Sequence, residues 1–249
     1  MIQLQEIVDN PQSMSTALSL TAVIDTALCV GAGGSTGSLA DKPIVRNAQG
    51  QLLIPGSQLK GRLRHECEKL ARGLGWHISD VHASRPLDIP AETANGQVVH
   101  HPAGYDSYHC LMGQIFGDPV LPARVLVDDL ICPLSSEELP EVLRPGVSIN
   151  RRRQVAEDKK LFLLETSPAN AKLAFSGQIH LLPQLPPQAR PLILAGLRHI
   201  HALGGSKSAG LGWLSWQQIE WNSTDMSKGI SADMGDLDWD SLLPEKEAL

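Results

Sequence analysis

Apolar and polar positions along the chain fall into runs of two periods. Residues 18–30 alternate loosely and are rich in Thr, Val, Ile and Leu, which predicts a first strand. Leu52, Leu53 and Ile54 predict a short strand stopped by Pro55-Gly56, after which Ser57 stands where a helix N-cap is expected. Leu59, Leu63, Cys67 and Leu70 then recur at helical spacing through residues 58–70, with Lys60, Arg62, Arg64 and Lys69 around the stripe. Farther on, residues 111–116 are apolar and end at Gly117-Asp118-Pro119, and residues 123–130 read as a strand.

Residues 144–165 predict a hairpin. An apolar arm runs into Arg151-Arg152-Arg153, a polar turn is expected around Ala156-Glu157-Asp158, and Lys159-Lys160 lead into an apolar return, giving the hairpin basic sides. Residues 172–182 alternate as another strand, with Leu173, Phe175 and Ile179 on one face. Leu192, Ala195, Ile200 and Leu203 mark a second amphipathic helix stopped by Gly204-Gly205, and residues 211–221 form a last strand. The order of these elements suggests an α+β fold with a ferredoxin-like (RRM-like) core, an inserted β-hairpin and an irregular insertion at residues 76–109.

Composition narrows the class. At 249 residues the chain can bury a core without disulfides or metals. The four cysteines form no CxxC pair, and neither a signal peptide nor a long apolar run is present, so a soluble cytoplasmic protein with reduced thiols and no membrane partner is expected. The net charge of −6 is uneven: seven acids and two bases lie from residue 222 onward, leaving 20 acids and 19 bases in residues 1–221. One domain over residues 1–221 and an acidic, disordered tail over 222–249 follow as expectations. The near-neutral body carries its bases in clusters, and a local cluster attracts phosphate whatever the total charge.

Candidate chemistry follows from these clusters. The strand ending in Gly31 to Gly37 invites a dinucleotide-binding reading, but Pro43 and a very short apolar run follow where a helix is required, and the reading is rejected. Free N–H groups at the start of the helix after Pro55, with Lys60 one turn in, suit an anion. Five bases within residues 151–160 on a projecting arm point to a polyanion as much as to a solvated face. His77, His82, His100, His101, His109 and Cys110 make residues 76–110 the stretch richest in metal ligands, at spacings that fit no standard zinc pattern.

Several motifs together resemble the RAMP superfamily, in particular the backbone subunits of type III CRISPR effector complexes. Residues 40–46, Ala-Asp-Lys-Pro-Ile-Val-Arg, are similar to that family's G-x-D-x-P-V-I, and residues 54–61, Ile-Pro-Gly-Ser-Gln-Leu-Lys-Gly, to its I-P-G-S-S-L-K-G. Ile115-Phe116-Gly117 resembles L-F-G, Ile149-Asn150-Arg151 resembles I-D-R, and residues 203–212 resemble the carboxy-terminal glycine-rich loop. The agreement spans most of residues 18–221 in the right order.

The resemblance implies a subunit that stacks with similar subunits along a guide RNA, while its hairpin, the thumb, displaces one nucleotide at intervals from the guide–target duplex. Base pairing then reads sequence and the protein reads phosphate and shape. Arg46, Ser57, Lys60, Arg62 and Arg64 would hold guide backbone, Arg151, Arg152 and Arg153 would steady the kinked strand, and Gly204, Gly205, Ser206, Lys207 and Ser208 would let RNA approach the main chain. Asp41 matches the family's catalytic aspartate, holding Mg2+ or another divalent cation for cleavage of complementary target RNA with the 2′-hydroxyl as nucleophile. Some relatives bind zinc through C-x-x-C before L-F-G. Here Cys110 keeps the first position and Gly113 takes the second, so zinc would need His101 or His109 as a substitute.

Two function classes follow: a metal-dependent endoribonuclease subunit using Asp41, and a non-catalytic RNA-binding scaffold of the same complex with other effector subunits as partners. A metal-independent nuclease using His199 or His201 as general base ranks last, because the Asp41 loop and the hairpin would then have no role.

Overall fold

The computed structural model describes residues 16–31, 40–76, 78, 99–100, 109–140 and 142–221. Its architecture is mixed α and β with antiparallel sheets. The main sheet runs β10 (Leu214–Trp221), β1 (Thr16–Ile24), β9 (Leu173–Leu181), β6 (Leu130–Ile131), β2 (Leu53–Ile54), with β5 (Val125–Val127) also paired to β9. Helices α1 (Gly56–Gly73) and α3 (Ala189–Arg198) pack against each other, and α2 (Leu111–Phe116) follows the short pair β3 (Val99–His100) and β4 (His109–Cys110). A separate two-stranded ribbon is made by β7 (Val142–Asn150) and β8 (Val155–Thr166).

Alternation fixes which face of the sheet is covered. Along β1 the buried side chains are Leu18, Leu20, Ala22 and Ile24, and their partners on β9 include Phe175 and Ile179. The helices supply the other side of that core: Leu59, Leu63 and Cys67 from α1 join Leu192, Ile193 and Leu197 from α3 in the same cluster. The helices approach closely at Gly196, where a Cβ would lie 2.6 Å from Cys67 Sγ. Trp216 ties β10 to the end of α3 by donating its indole N–H to the Leu197 carbonyl at 2.8 Å. Burial first, and then the neighbouring Glu66 and Glu68 carboxylates, push the Cys67 thiol up, so it behaves as a small apolar group.

Several predicted boundaries move. The first strand stops at Ile24, and residues 25–31 continue as an irregular segment whose hydrogen bonds go to three different loops. The strand expected over 123–130 is broken at Asp128 and Asp129: Asp128 remains bonded to β9 through the Gln178 carbonyl (2.9 Å) and His180 (3.0 Å), while Asp129 turns to accept the Gly56 N–H at 2.7 Å. Ser57 is not a cap; Pro55 is the N-cap residue, no side-chain cap bond is made there, and the carboxylate at that helix end comes from Asp129, distant in sequence. The second helix ends at Arg198, so His199 is its C-cap and His201 lies beyond it.

The hairpin turn also moves. Residues 151–154 make it, so the three arginines occupy the tip rather than the sides. Asn150 dictates this: its side-chain oxygen accepts the N–H groups of Arg152 (3.1 Å) and Arg153 (3.0 Å), and Gln154 closes the turn at φ 55° with its N–H on the Asn150 carbonyl. Most of the expected insertion, including His77, His82 and His101, lies outside the described residues, as do residues 32–39 and the acidic tail from residue 222. Among the described residues no helix is long and apolar enough to cross a membrane.

Candidate nucleic-acid interface

The irregular segment after β1 is the hub on which the sequence-predicted features converge. Its odd positions face the glycine-rich loop: the Trp213 carbonyl accepts the Asp25 N–H (2.8 Å), the Ala27 carbonyl accepts the Gly212 N–H (2.9 Å), and the Cys29 carbonyl accepts the Gly205 N–H (2.6 Å). Of its even positions, Thr26 also meets the loop end at Trp213, while Leu28 and Val30 face elsewhere. Leu28 exchanges bonds with Ser167 at the foot of β8, through the Ser167 N–H (2.9 Å) and the Ser167 hydroxyl (2.8 Å), and the Val30 carbonyl accepts the Val45 N–H at 2.9 Å. One extended stretch thus brings the glycine-rich loop, the hairpin base and the Asp41 loop to the same end of the sheet.

Asp41 is exposed and held against the hairpin. Its Oδ2 accepts the Leu163 N–H at 2.7 Å, the Lys42 N–H reaches the Leu163 carbonyl at 3.3 Å, and the Glu165 N–H reaches the Lys42 carbonyl at 3.1 Å. Buried Glu165 closes the same loop from the other side, accepting the Ile44 N–H at 3.1 Å and pairing with Arg46 at 3.5 Å. Arg46 also donates to the Gly50 carbonyl, so both its visible contacts are within the protein.

The glycine-rich loop divides into two parts. Gly204 (φ 90°) and Gly212 (φ 73°) are structural: a Cβ at Gly204 would lie 2.7 Å from the Cys29 carbonyl oxygen, and one at Gly212 would lie 1.8 Å from the Leu203 carbonyl oxygen. Between them Ser206 takes a left-handed conformation at φ 52° and residues 205–210 are exposed, with a single 3-10 turn over Lys207–Ala209. The close approach predicted here is made first by the chain's own segment 25–29.

Helix α1 commits most of its basic residues inward. Glu66, fully buried, meets Arg62 at 2.7 Å, Lys69 at 2.5 Å and His199 Nδ1 at 2.7 Å. Burial alone pushes the Glu66 carboxyl up, but the bonds from Lys69 and His199 and the charge of Arg62 outweigh it and hold the group below the usual carboxylate range. Arg64 pairs with Glu68 at 2.9 Å and donates to the Gly117 carbonyl at 3.0 Å. Lys60 has no carboxylate partner among the described residues; partial burial, and then the charge of Arg64, hold its pKa below the usual lysine value. Arg151, Arg152, Arg153 and Lys207 likewise have no acidic partner among the described residues.

Residues 21–215 match the model of the RAMP superfamily. The chain belongs to this superfamily. No curated protein matches the chain. Among solved structures, this RAMP chain is similar to a chain of the cryo-EM structure of the type III-B Cmr-beta bound to cognate target RNA. Identity is 14% and the TM-score 0.54, covering 88% of this chain and 66% of that one. At that identity the likeness speaks for the fold. The RAMP match covers the Asp41 loop, α1, the hairpin and the glycine-rich loop, but stops before the end of β10.

Metal donors can be tested against this geometry. Asp41 offers one hard, exposed oxygen pair with one oxygen already accepting an N–H, which fits a largely hydrated divalent cation and not a dehydrated protein cage. Among the described residues no group of three or more His, Cys, Asp or Glu could hold a metal. His109 is buried with Nδ1 on Asp118 at 2.7 Å, Cys110 is buried beside it, and His101 lies outside the described residues.

The sequence reading missed three contributors. Glu165 anchors the Asp41 loop and Ser167 the hub; Glu165 was read only as the end of the hairpin, and Ser167 fell between the hairpin and the next strand. Trp213, exposed beside the glycine-rich loop, was absorbed into the last strand, although its place directly after Gly212 marked it as a loop-end residue.

Proposed function

We propose that this chain is a guide-RNA-binding backbone subunit of a type III CRISPR effector complex that cleaves complementary target RNA at Asp41. The observation that carries the reading is the bond from the Leu163 N–H to Asp41 Oδ2 at 2.7 Å, which clips the carboxylate to the hairpin. The strand order β10-β1-β9-β6, with α1 and α3 packed together on the covered face, supports a ferredoxin-like core. On this reading the hairpin is the thumb.

The thumb's shape suits displacement of a base. Leu143, Val147 and Ile149 on β7 and Leu161 on β8 share one face of the ribbon and are all exposed, while the tip carries Arg151, Arg152 and Arg153. An apolar face with a cationic tip can lie along unstacked bases while the guanidinium groups meet phosphates. Guide backbone also meets Lys60, with Ser57 exposed at the same helix end, and the outward part of the loop at Ser206, Lys207 and Ser208. Arg46, Arg62 and Arg64, already paired, act chiefly by holding these elements in place.

A divalent cation such as Mg2+, bound when RNA is present, would supply electrostatic stabilisation of charge at the reacting phosphate. Asp41 holds its place through the Leu163 N–H, and the main-chain pairing of Lys42 with Leu163 and Glu165 keeps the carboxylate at the hairpin base. A target nucleotide turned out of the duplex beside the thumb would have its 2′-oxygen free to attack the adjacent phosphorus in line, with the 5′-oxygen leaving. The alternative is a non-catalytic RNA-binding scaffold, favoured by Asp41 being the one carboxylate assigned to the site.

The test is cleavage of guide-complementary RNA by the assembled complex, with wild-type subunit and with Asp41→Ala, in magnesium and without it. The reading expects cleavage to require magnesium and to vanish in the variant while target binding persists. Cuts that persist in the variant, or that occur in neither complex, favour the scaffold.

A further inference from the structure

We propose that Trp213 is a stacking platform for one base of the RNA strand that passes the glycine-rich loop. This rests on the preceding reading, in which that loop borders RNA.

Trp213 is 51% exposed, the most exposed aromatic side chain among the described residues. Its indole N–H has no partner among those residues, unlike that of Trp216, which is bonded to the Leu197 carbonyl. The main chain beneath it is nonetheless fixed at both ends. The Trp213 N–H donates to the Thr26 hydroxyl at 3.0 Å and its carbonyl accepts the Asp25 N–H at 2.8 Å, while an isolated bridge pairs it with Ala202. An outward ring on an anchored backbone loses little conformational freedom when a flat partner covers it.

Strand alternation gives its direction. Leu214 pairs with Ile24, and both are buried toward the helices; one residue earlier, Trp213 stands opposite Asp25 and projects from the other face of the sheet. Its bonded neighbours in the fold are Asp25, Thr26 and Ala202, with exposed His201 bonded to the next residue, and the exposed residues 205–210 precede it by a few positions in the chain. A protein partner would need an apolar patch around the ring to form an interface core, and this neighbourhood is polar. A single nucleobase needs one ring, with cations and main-chain groups nearby for its sugar and phosphate.

The experiment uses the full chain and two labelled probes of about 12 nucleotides, within the span that single-strand sites cover. One is oligoadenylate and the other is an abasic ribose-phosphate oligomer of the same length. Affinities are measured across a salt series for wild type, Trp213→Ala and Trp213→Phe. The inference expects Trp213→Ala to weaken oligoadenylate by about 5- to 150-fold, with the salt slope and the affinity for the abasic oligomer unchanged. Trp213→Phe, which keeps a ring, should retain most of the affinity and guards against a folding defect.

Equal oligoadenylate affinity for Trp213→Ala and wild type overturns the inference, as does an equal loss on both probes. In either case wild-type binding leaves the RNA-binding reading standing. A wild type that binds neither probe at low salt overturns that reading and the stacking inference with it.

Discussion

Residues 56–70 of helix α1 carry Lys60, Arg62, Arg64 and Lys69, and the β7–β8 tip carries Arg151, Arg152 and Arg153 in a row. In the helix three of the four are drawn to buried carboxylates, Arg62 and Lys69 to Glu66 and Arg64 to Glu68. At the tip Asn150 organises the turn through main-chain N–H groups and leaves the three guanidinium groups without acidic partners among the described residues. A paired cation has most of its field cancelled nearby, and an unpaired one projects it into solvent where a phosphate can meet it. Similar charge counts therefore serve cohesion in one region and recruitment in the other.

The contrast breaks most directly at the tip. Replacing Arg151, Arg152 and Arg153 together by Ala should give the largest loss of RNA affinity. It should lower the slope of log affinity against log salt by about 0.7 for each single-strand phosphate contact removed. The melting temperature should stay at the wild-type value, since none of the three side chains makes a bond to another described residue. A preserved slope, measured by titration at several salt concentrations, would remove the tip from the interface.

Glu66 is the corresponding test of the helix. Glu66→Gln leaves Arg62, Lys69 and His199 without their shared acceptor charge and should cost about 1–3 kcal/mol of stability, read by denaturant titration, with RNA affinity and salt slope unchanged. The pH dependence has a definite sign. The folded carboxyl is held below its ordinary value, so the unfolded chain binds the proton more readily. The stabilisation is therefore present above the ordinary carboxylate range and fades as pH falls through the folded value. Asp118 adds in the same direction: burial pushes it up, but the Leu121 and Val120 N–H groups and His109 outweigh that and lower it. Acid unfolding should be less steep in Glu66→Gln than in wild type. An equally steep curve would mean that the network does not carry this linkage.

Arg64→Gln should have a smaller effect, about 1 kcal/mol, from the lost bond to the Gly117 carbonyl and the lost pairing with Glu68. If the helix serves cohesion, this variant lowers the melting temperature and leaves the salt slope alone. A lowered slope at unchanged stability would transfer Arg64 to the interface.

Much of the architecture could be read from periodicity, because β1, β9 and α1 each bury one face and show it in sequence, while the hairpin alternates in sequence yet leaves most of its apolar side chains exposed. What escaped were partnerships across long separations. Nothing near Pro55 announces that Asp129 will meet the Gly56 N–H, and nothing near residues 28 or 44 announces Ser167 or Glu165. The strand over 123–130 failed for the same reason: Asp129 is committed to the Gly56 N–H, a distant partner that local propensity does not contain, while Asp128 stays bonded to β9. The site was legible as motif positions, while the division of its cations into paired and unpaired was not, since that depends on where Glu66, Glu68 and Glu165 are buried.

Gly61 offers the finest probe of the comparison. It lies inside α1, is exposed, and has open space where a Cβ would go. If packing alone mattered there, Gly61→Ala should stabilise the helix by about 1 kcal/mol, because alanine loses less backbone entropy on folding. The neighbouring Lys60 lacks an acidic partner among the described residues, so RNA backbone running along this turn would make the methyl group an obstacle. The two effects separate cleanly in one variant. A gain in melting temperature with unchanged RNA affinity confines α1 to cohesion, whereas the same gain with weakened affinity places RNA against the Lys60–Gly61 turn and extends the interface from the thumb onto the helix.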